Sequence, residues 1–209
     1  MKKNRIHIII GTKAQLIKMA PVMVELQNRK VPYNFVFTGQ HQETIDDLRN
    51  NFGVKNPDII LHYGRDITKI HQMFVWIIKV LLKKKDFLNK NDILITHGDT
   101  FSTLLGAIMG KRAKAKVAHI ESGLRSGKLF HPFPEEITRR LTFKLSDYYF
   151  CPGKWAINNL HKYKGKKINT LNNTLYDSLQ LISEKPGAIQ IPKEKYCICS
   201  IHRFENIFN

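Results

Sequence analysis

The sequence predicts an α/β chain, a doubly wound parallel sheet with helices on both faces, and three observations carry that reading. Apolar runs of strand length alternate strictly with amphipathic stretches of helical length. The chain has 209 residues, 43% of them hydrophobic, which is ample for one packed domain and tight for two. Asp99 and Glu121 each lie just past the end of an apolar run. That puts them at the carboxyl ends of strands, where open parallel sheets hold their ligands.

The elements follow in order. Residues 6–10 are a buried strand. Residues 16–29 form a helix with Ile17, Ala20, Met23 and Val24 on one face, and Pro21 sits early, where a missing N–H costs least. Residues 33–38 are a strand, 42–51 a helix and 58–61 a weak strand. Residues 67–84 form a long helix whose apolar face carries Ile70, Phe74, Ile77, Ile78 and Leu81; its Trp and Met are core residues. Strands at 92–96 and 116–120 flank a helix at 102–112. A helix at 135–145, a strand at 148–151 and a helix at 153–160 complete the alternation. Residues 1–185 therefore read as one domain with its trailing connection. Pro186 to Pro192 reads as a linker, and 196–201 as a fresh strand. Residues 186–209 are thus expected to be the linker and first strand of an incomplete second domain, which makes the chain a fragment.

Composition narrows the function classes. The apolar part of the first strand is too short for a signal peptide and lacks a small-residue cleavage site. The run from Met73 to Leu82 is broken by Lys79 and falls short of the roughly 20 residues that cross a bilayer. Cys151, Cys197 and Cys199 are too few for a disulfide scaffold, so a reducing cytoplasm is expected, and they lack a second ligand pair for a metal. The net charge is +17, yet the lysines are scattered and do not interleave with aromatic residues, which argues against nucleic-acid binding. A Lys-rich field does favour a phosphorylated substrate.

The chemistry concentrates between His97 and Arg140. Here the chain reads His97-Gly98-Asp99-Thr100, His119-Ile120-Glu121-Ser122-Gly123-Leu124-Arg125, Pro134-Glu135-Glu136 and Arg139-Arg140. Carboxylates converging on a sheet rim can do acid–base work that solvated ones cannot. Each has a structural alternative. Asp99 is a good N-cap for the following helix. Glu121 is costly to desolvate unless used or paired, and Arg125 lies four residues on. Glu135 suits the first turn of its helix, and Arg139 and Arg140 fall at helical spacing from Glu135 and Glu136. Earlier, Gly11-Thr12-Lys13 ends a strand and opens a helix, a turn whose N–H groups suit an anion. It is not a G-x-G-x-x-G fingerprint, and there is no Walker A loop or G-x-S-x-G elbow.

The ordered set of motifs resembles the N-terminal half of the non-hydrolysing UDP-N-acetylglucosamine 2-epimerases. The matching pieces are Gly11-Thr12 with Ile17-Lys18-Met19-Ala20-Pro21, Thr38-Gly39-Gln40-His41, Gly98-Asp99-Thr100, Glu121-Ser122-Gly123-Leu124-Arg125, and Pro134-Glu135-Glu136 with Arg139. Asn173-Thr174 with Asp177, and His202-Arg203 with Glu205-Asn206, follow. The resemblance implies a Rossmann-like N-terminal domain of a two-domain GT-B-like fold, with a nucleotide sugar in the cleft between domains. It implies conversion of UDP-GlcNAc to UDP-ManNAc by elimination of UDP to 2-acetamidoglucal and re-addition on the other face. Asp99, Glu121 and Glu135 match the acidic residues implicated in proton transfer at C2 and in support of the intermediate, and His202 matches a histidine near the leaving nucleotide. Gly11, Thr12, Lys13, Lys18, His41 and Arg139 fall on the substrate side, with Lys18 and His202 placed to offset charge on the β-phosphate. The scheme requires no metal or redox cofactor. The resemblance also implies a homodimer and a role in cell-surface polysaccharide biosynthesis.

The family's first loop usually reads Gly-Thr-Arg-Pro-Glu, whereas this chain has Gly11-Thr12-Lys13-Ala14-Gln15. A lysine cannot copy the bidentate fork of arginine, and the carboxylate has become an amide. Asn172 stands where the family tends to have Gly. Two other functions remain open. One is a GT-B glycosyltransferase or hydrolysing relative acting on another nucleotide sugar, marked by acceptor transfer or free ManNAc. The other is a non-catalytic basic binding domain, in which Asp99 and Glu121 would be dispensable.

Overall fold

The computed structural model describes residues 5–40, 45–64, 67, 70–82, 87–183 and 194–197. Its elements are β1 (Ile6–Ile10), α1 (Lys13–Asn28), β2 (Tyr33–Phe37), α2 (Ile45–Phe52), β3 (Ile59–Ile60) and α3 (Ile70–Leu82), followed by β4 (Ile93–His97), α4 (Phe101–Arg112) and β5 (Lys116–Ile120). Then come α5 (Glu135–Leu145), β6 (Tyr148–Cys151), α6 (Lys154–Asn158), β7 (Lys166–Asn169) and α7 (Thr174–Ser183). One sheet takes the order β3-β2-β1-β4-β5-β6-β7. Every pairing in it is parallel. The order reverses between β1 and β4, the switch point at which such sheets open a crevice for ligands.

Alternation along β1 builds the two helical layers. Ile8 and Ile10 face a core with Leu16, Met19 and Met23 of α1 and Phe52 of α2. Ile9 faces the opposite side, with Trp76 and Val80 of α3 and Leu105 of α4. Each of the three isoleucines is at most 1% exposed, and burial of such a side chain contributes about 1.5–3 kcal/mol. A third cluster of Phe143, Tyr149, Cys151, Ala156 and Leu160 packs the far half of the sheet.

The expected alternation holds, with specific departures. Helix α1 starts at Lys13 rather than at residue 16, because the Thr12 side chain accepts the Gln15 N–H and caps it there. On α1 the fully buried line is Leu16, Met19, Ala20 and Met23, while Ile17 and Val24 are half-buried. On α3, Phe74 and Ile78 are more than half exposed; the core contact runs instead through Met73, Trp76, Ile77, Val80 and Leu81. Trp76 is a core residue, as expected. Helix α6 is shorter than the expected 153–160. Two elements escape the sequence pattern. Strand β7 reads Lys-Lys-Ile-Asn, and it pairs only with β6. Helix α7 turns Leu175, Tyr176, Leu179 and Ile182 outward and docks on α1 through buried Ser178, whose hydroxyl donates to the Ile17 carbonyl at 2.6 Å.

The expected linker at 186–192 lies outside the described residues, as does most of the expected strand at 196–201. Residues 194–197 are irregular, with Cys197 exposed and free. No described helix is long and apolar enough to cross a membrane.

Candidate active site

The turns after β1, β4 and β5 and the start of α5 converge at the carboxyl end of the sheet, across the switch point. Gly11 opens the first turn. A Cβ there would lie 1.9 Å from Ser102 Oγ and 2.2 Å from Thr38 Oγ1, so only glycine fits. Thr12 caps α1, whose early turns carry Lys13, Gln15 and Lys18. Lys13 is half-buried, and the Lys18 side chain is 26% exposed.

The turn after β4 carries His97, Gly98 and Asp99. Gly98 sits at φ +69°, a conformation glycine adopts without strain. Asp99 is not the cap of α4: Thr100 holds that position and its hydroxyl accepts the Thr103 N–H. The Asp99 carboxylate instead meets the Arg139 guanidinium, and the Thr138 hydroxyl donates to the Asp99 carbonyl. A residue 40 positions away has taken the carboxylate that local spacing assigned to a cap.

Glu121 follows β5 in the left-handed region at φ +60°, which costs a non-glycine residue on the order of 1–3 kcal/mol. Its partner is not Arg125. Lys18 Nζ donates to both Glu121 oxygens, at 2.7 and 2.9 Å, and Asn173 Nδ2 donates to Oε1 at 2.8 Å. His97 Nε2 lies 3.0 Å from Oε2, without the alignment of a good hydrogen bond. Burial works to raise the Glu121 pKa, but the neighbouring His97 and Lys18 outweigh it and hold the carboxyl at about 2. Glu121 is therefore a fixed anion. Arg125 turns to Glu136, bonding it at 2.6 Å. Arg139 and Arg140 approach the same buried carboxylate at 3.6 and 3.4 Å, so the helical pairing falls on Glu136.

Glu135 occupies the first turn of α5, where the helix dipole favours its charge. Its Oε2 is buried with no hydrogen-bond partner among the described residues. His119 braces the rim. Its Nε2–H donates to the Gly98 carbonyl at 2.7 Å and its Nδ1 accepts from Ser122 Oγ at 3.0 Å. Burial lowers its pKa to about 4, so the ring stays neutral and Ser122 serves as its support.

The structure thus gathers Gly11, Thr12, Lys13, Lys18, Asp99, Glu121, Glu135 and Arg139 at one rim. His41 and His202 lie outside the described residues. Sequence reasoning passed over His97, Asn173 and Gln15 as site residues, although each stands in a motif it had singled out. Among the described residues no group of three or more His, Cys, Asp or Glu could hold a metal ion. Chemically, the rim offers a fixed anion, a half-open ammonium, an Asp–Arg pair and a carboxyl group with one buried oxygen that has no hydrogen-bond partner among the described residues. That set can transfer a proton at a polar carbon and offset charge on a departing anion.

Comparison with known proteins places this geometry among relatives. Residues 24–209 match the family described as UDP-N-acetylglucosamine 2-epimerase. The UDP-N-acetylglucosamine 2-epimerase of Bacillus subtilis (strain 168) is 33% identical over 217 residues, covering 99% of this chain and 56% of that protein. The structure of UDP-GlcNAc 2-epimerase from Neisseria meningitidis bound to UDP-GlcNAc is similar with a TM-score of 0.75 and 35% identity, covering 86% of this chain and 50% of the other. That of Methanocaldococcus jannaschii in complex with UDP-GlcNAc and UDP gives a TM-score of 0.71 and 33% identity, over 87% and 51%. The chain spans about half the length of the relatives it matches.

Proposed function

We propose that this chain, which belongs to the UDP-N-acetylglucosamine 2-epimerase family, supplies the acid–base half of the cleft in an enzyme that interconverts UDP-GlcNAc and UDP-ManNAc. One observation carries the reading. Lys18, Glu121 and Asn173, drawn from three distant segments, are locked together beside the Asp99–Arg139 pair at the switch point of the sheet.

The reaction follows from the groups present. The C2 proton of a sugar is very weakly acidic, so its removal needs a desolvated and well-placed base. Its loss and cleavage of the anomeric C–O bond release UDP and leave 2-acetamidoglucal. Return of UDP, with a proton delivered to the other face of C2, gives the epimer. Asp99 and Glu135 are assigned to proton transfer. Glu121, ionised throughout the working range, is assigned to supporting charge that develops at the sugar and to holding Lys18. Lys18, with Lys13 and the Gly11-Thr12 turn at the start of α1, is assigned to the diphosphate. Arg139 is assigned to the sugar side. His41 and His202 keep the substrate and leaving-group roles that the family resemblance implies. The nucleotide half of the cleft is assigned to the part of the relatives' length that this chain does not span.

A homodimer is proposed because α3 turns Phe74, Val75, Ile78 and Leu82 outward, each at least half exposed. Cytoplasmic location and a role in cell-surface polysaccharide biosynthesis complete the reading; the free thiols of Cys151 and Cys197 support the reducing compartment. The test is incubation of the protein, at its full encoded length, with UDP-GlcNAc in deuterium oxide. The expected outcome is UDP-ManNAc with deuterium at C2. Absence of both products sinks the proposal, and free ManNAc would move it to hydrolysis.

A further inference from the structure

We infer that Gln15 is a positioning residue of this reaction: its buried amide ties the turn after β1 to the turn after β4 and so sets how Lys18, His97 and Glu121 meet. The inference rests on the epimerase reading and adds a residue to it.

Gln15 is 2% exposed and its amide is fully used. Oε1 accepts the Gly11 N–H at 2.9 Å. Nε2 donates to the His97 carbonyl at 2.7 Å and to Thr103 Oγ1 at 3.0 Å. The Thr103 hydroxyl donates to the same His97 carbonyl at 2.6 Å. Gly11 N–H can only donate and the His97 carbonyl can only accept, so the amide has one workable orientation.

Two routes lead from Gln15 to Glu121. The first runs through residue 97. The bonded carbonyl belongs to the residue whose ring stands 3.0 Å from the Glu121 carboxylate, and a Cβ on the next residue, Gly98, would lie 3.8 Å from Glu121 Oε2. The second runs through α1. Anchoring Gln15 fixes the first turns of the helix, and Lys18, three residues on, lays its ammonium across both Glu121 oxygens. A shift of either turn moves a partner of the fixed anion.

The site calls for an amide in particular. One terminal atom must accept and the other must donate to two oxygens. A carboxylate in the same pose sets two lone pairs against the His97 carbonyl and can make the link only when protonated. The Gln15 amide meets both demands. Its link needs no proton.

The experiment measures kcat and KM for Gln15→Ala and Gln15→Glu against pH, in the protein at its full encoded length with UDP-GlcNAc. Thermal unfolding is followed at each pH. Gln15→Ala is expected to lose roughly 10- to 100-fold in kcat, since small misplacements at a reacting centre cost that much. Its KM should rise as well, because the Gly11-Thr12 turn and Lys18, which Gln15 anchors, are assigned to the diphosphate. Gln15→Glu should recover activity at low pH, where its carboxyl is protonated, and lose it as pH rises, a limb absent from the unsubstituted protein. In the 209-residue chain, both variants should shift the NMR signals of the His97 ring and the Lys18 ammonium. If Gln15→Ala proves unstable, the pH profile of Gln15→Glu carries the test. Unchanged kcat in Gln15→Ala, a flat Gln15→Glu profile, or activity that falls only with the folded fraction would overturn the inference while leaving the epimerase reading in place. No turnover by the unsubstituted protein would overturn both.

Discussion

Glu121 carries the densest chemistry at the rim, and its partners explain both its strain and its charge. Three groups, Lys18, Asn173 and His97, converge on one carboxylate held at φ +60°. The cost of that backbone is offset by contacts that favour the ionised form, which is why its pKa falls to about 2 from 4.5 despite burial. A carboxyl with a depressed folded pKa stabilises the fold above its unfolded pKa, and the contribution disappears as pH falls through the folded value. Wild type is therefore expected to exceed Glu121→Gln in stability at pH 7 by on the order of 3 kcal/mol. The gap should close between about pH 4.5 and pH 2. Urea denaturation of both proteins across that range measures it, and a gap that stays constant with pH would contradict the assignment. Residue types and motif order made Asp99, Glu121 and Glu135 readable as candidates. Their partners were not readable. Local spacing offered Arg125 to Glu121 and a helix start to Asp99, whereas the fold pairs them with Lys18 and Arg139.

The elements divide by how much of their pattern comes from burial. Strands β1, β4 and β5 sit in the centre of the sheet, so their apolar runs show plainly in the sequence. Strand β7, with one apolar residue in four, lies where only one strand pairs with it, and such edges favour lysine. On α7 the apolar stripe faces outward, and its contact with α1 includes a hydrogen bond from the buried Ser178 hydroxyl. On α3 periodicity found the helix but chose a face that is partly exposed, because the helix is apolar over most of its circumference. Capping decides the start of α4. Thr100→Ala is expected to cost about 1 kcal/mol in urea denaturation through loss of the Thr103 N–H acceptor. Asp99→Ala should leave that cap intact, so equal loss of helix stability in both variants would restore Asp99 as the cap.

Across the whole molecule, the sheet order places the turns after β1 and β4 side by side at the switch point, with the β5 turn next to them. The outward face of α3 is the surface on which the homodimer proposal can be tested. Ile78→Asp, at a position 57% exposed, is expected to leave the fold intact and convert a dimer to monomers. Light scattering after size exclusion measures it, and an unchanged mass with an unchanged fold would remove α3 from the interface. The sequence alone determined the α/β class, the central strands and helices, and the carboxylates standing at strand ends. Those features follow from burial and backbone preference, which act over a few residues. Tertiary structure alone decided which charges meet. Lys18 reaches Glu121 across 103 positions and Asn173 reaches it across 52, distances over which helical or strand periodicity carries no information. Only the parallel crossovers of the sheet bring those segments to one rim, where burial makes their electrostatics strong enough to hold a carboxyl group ionised.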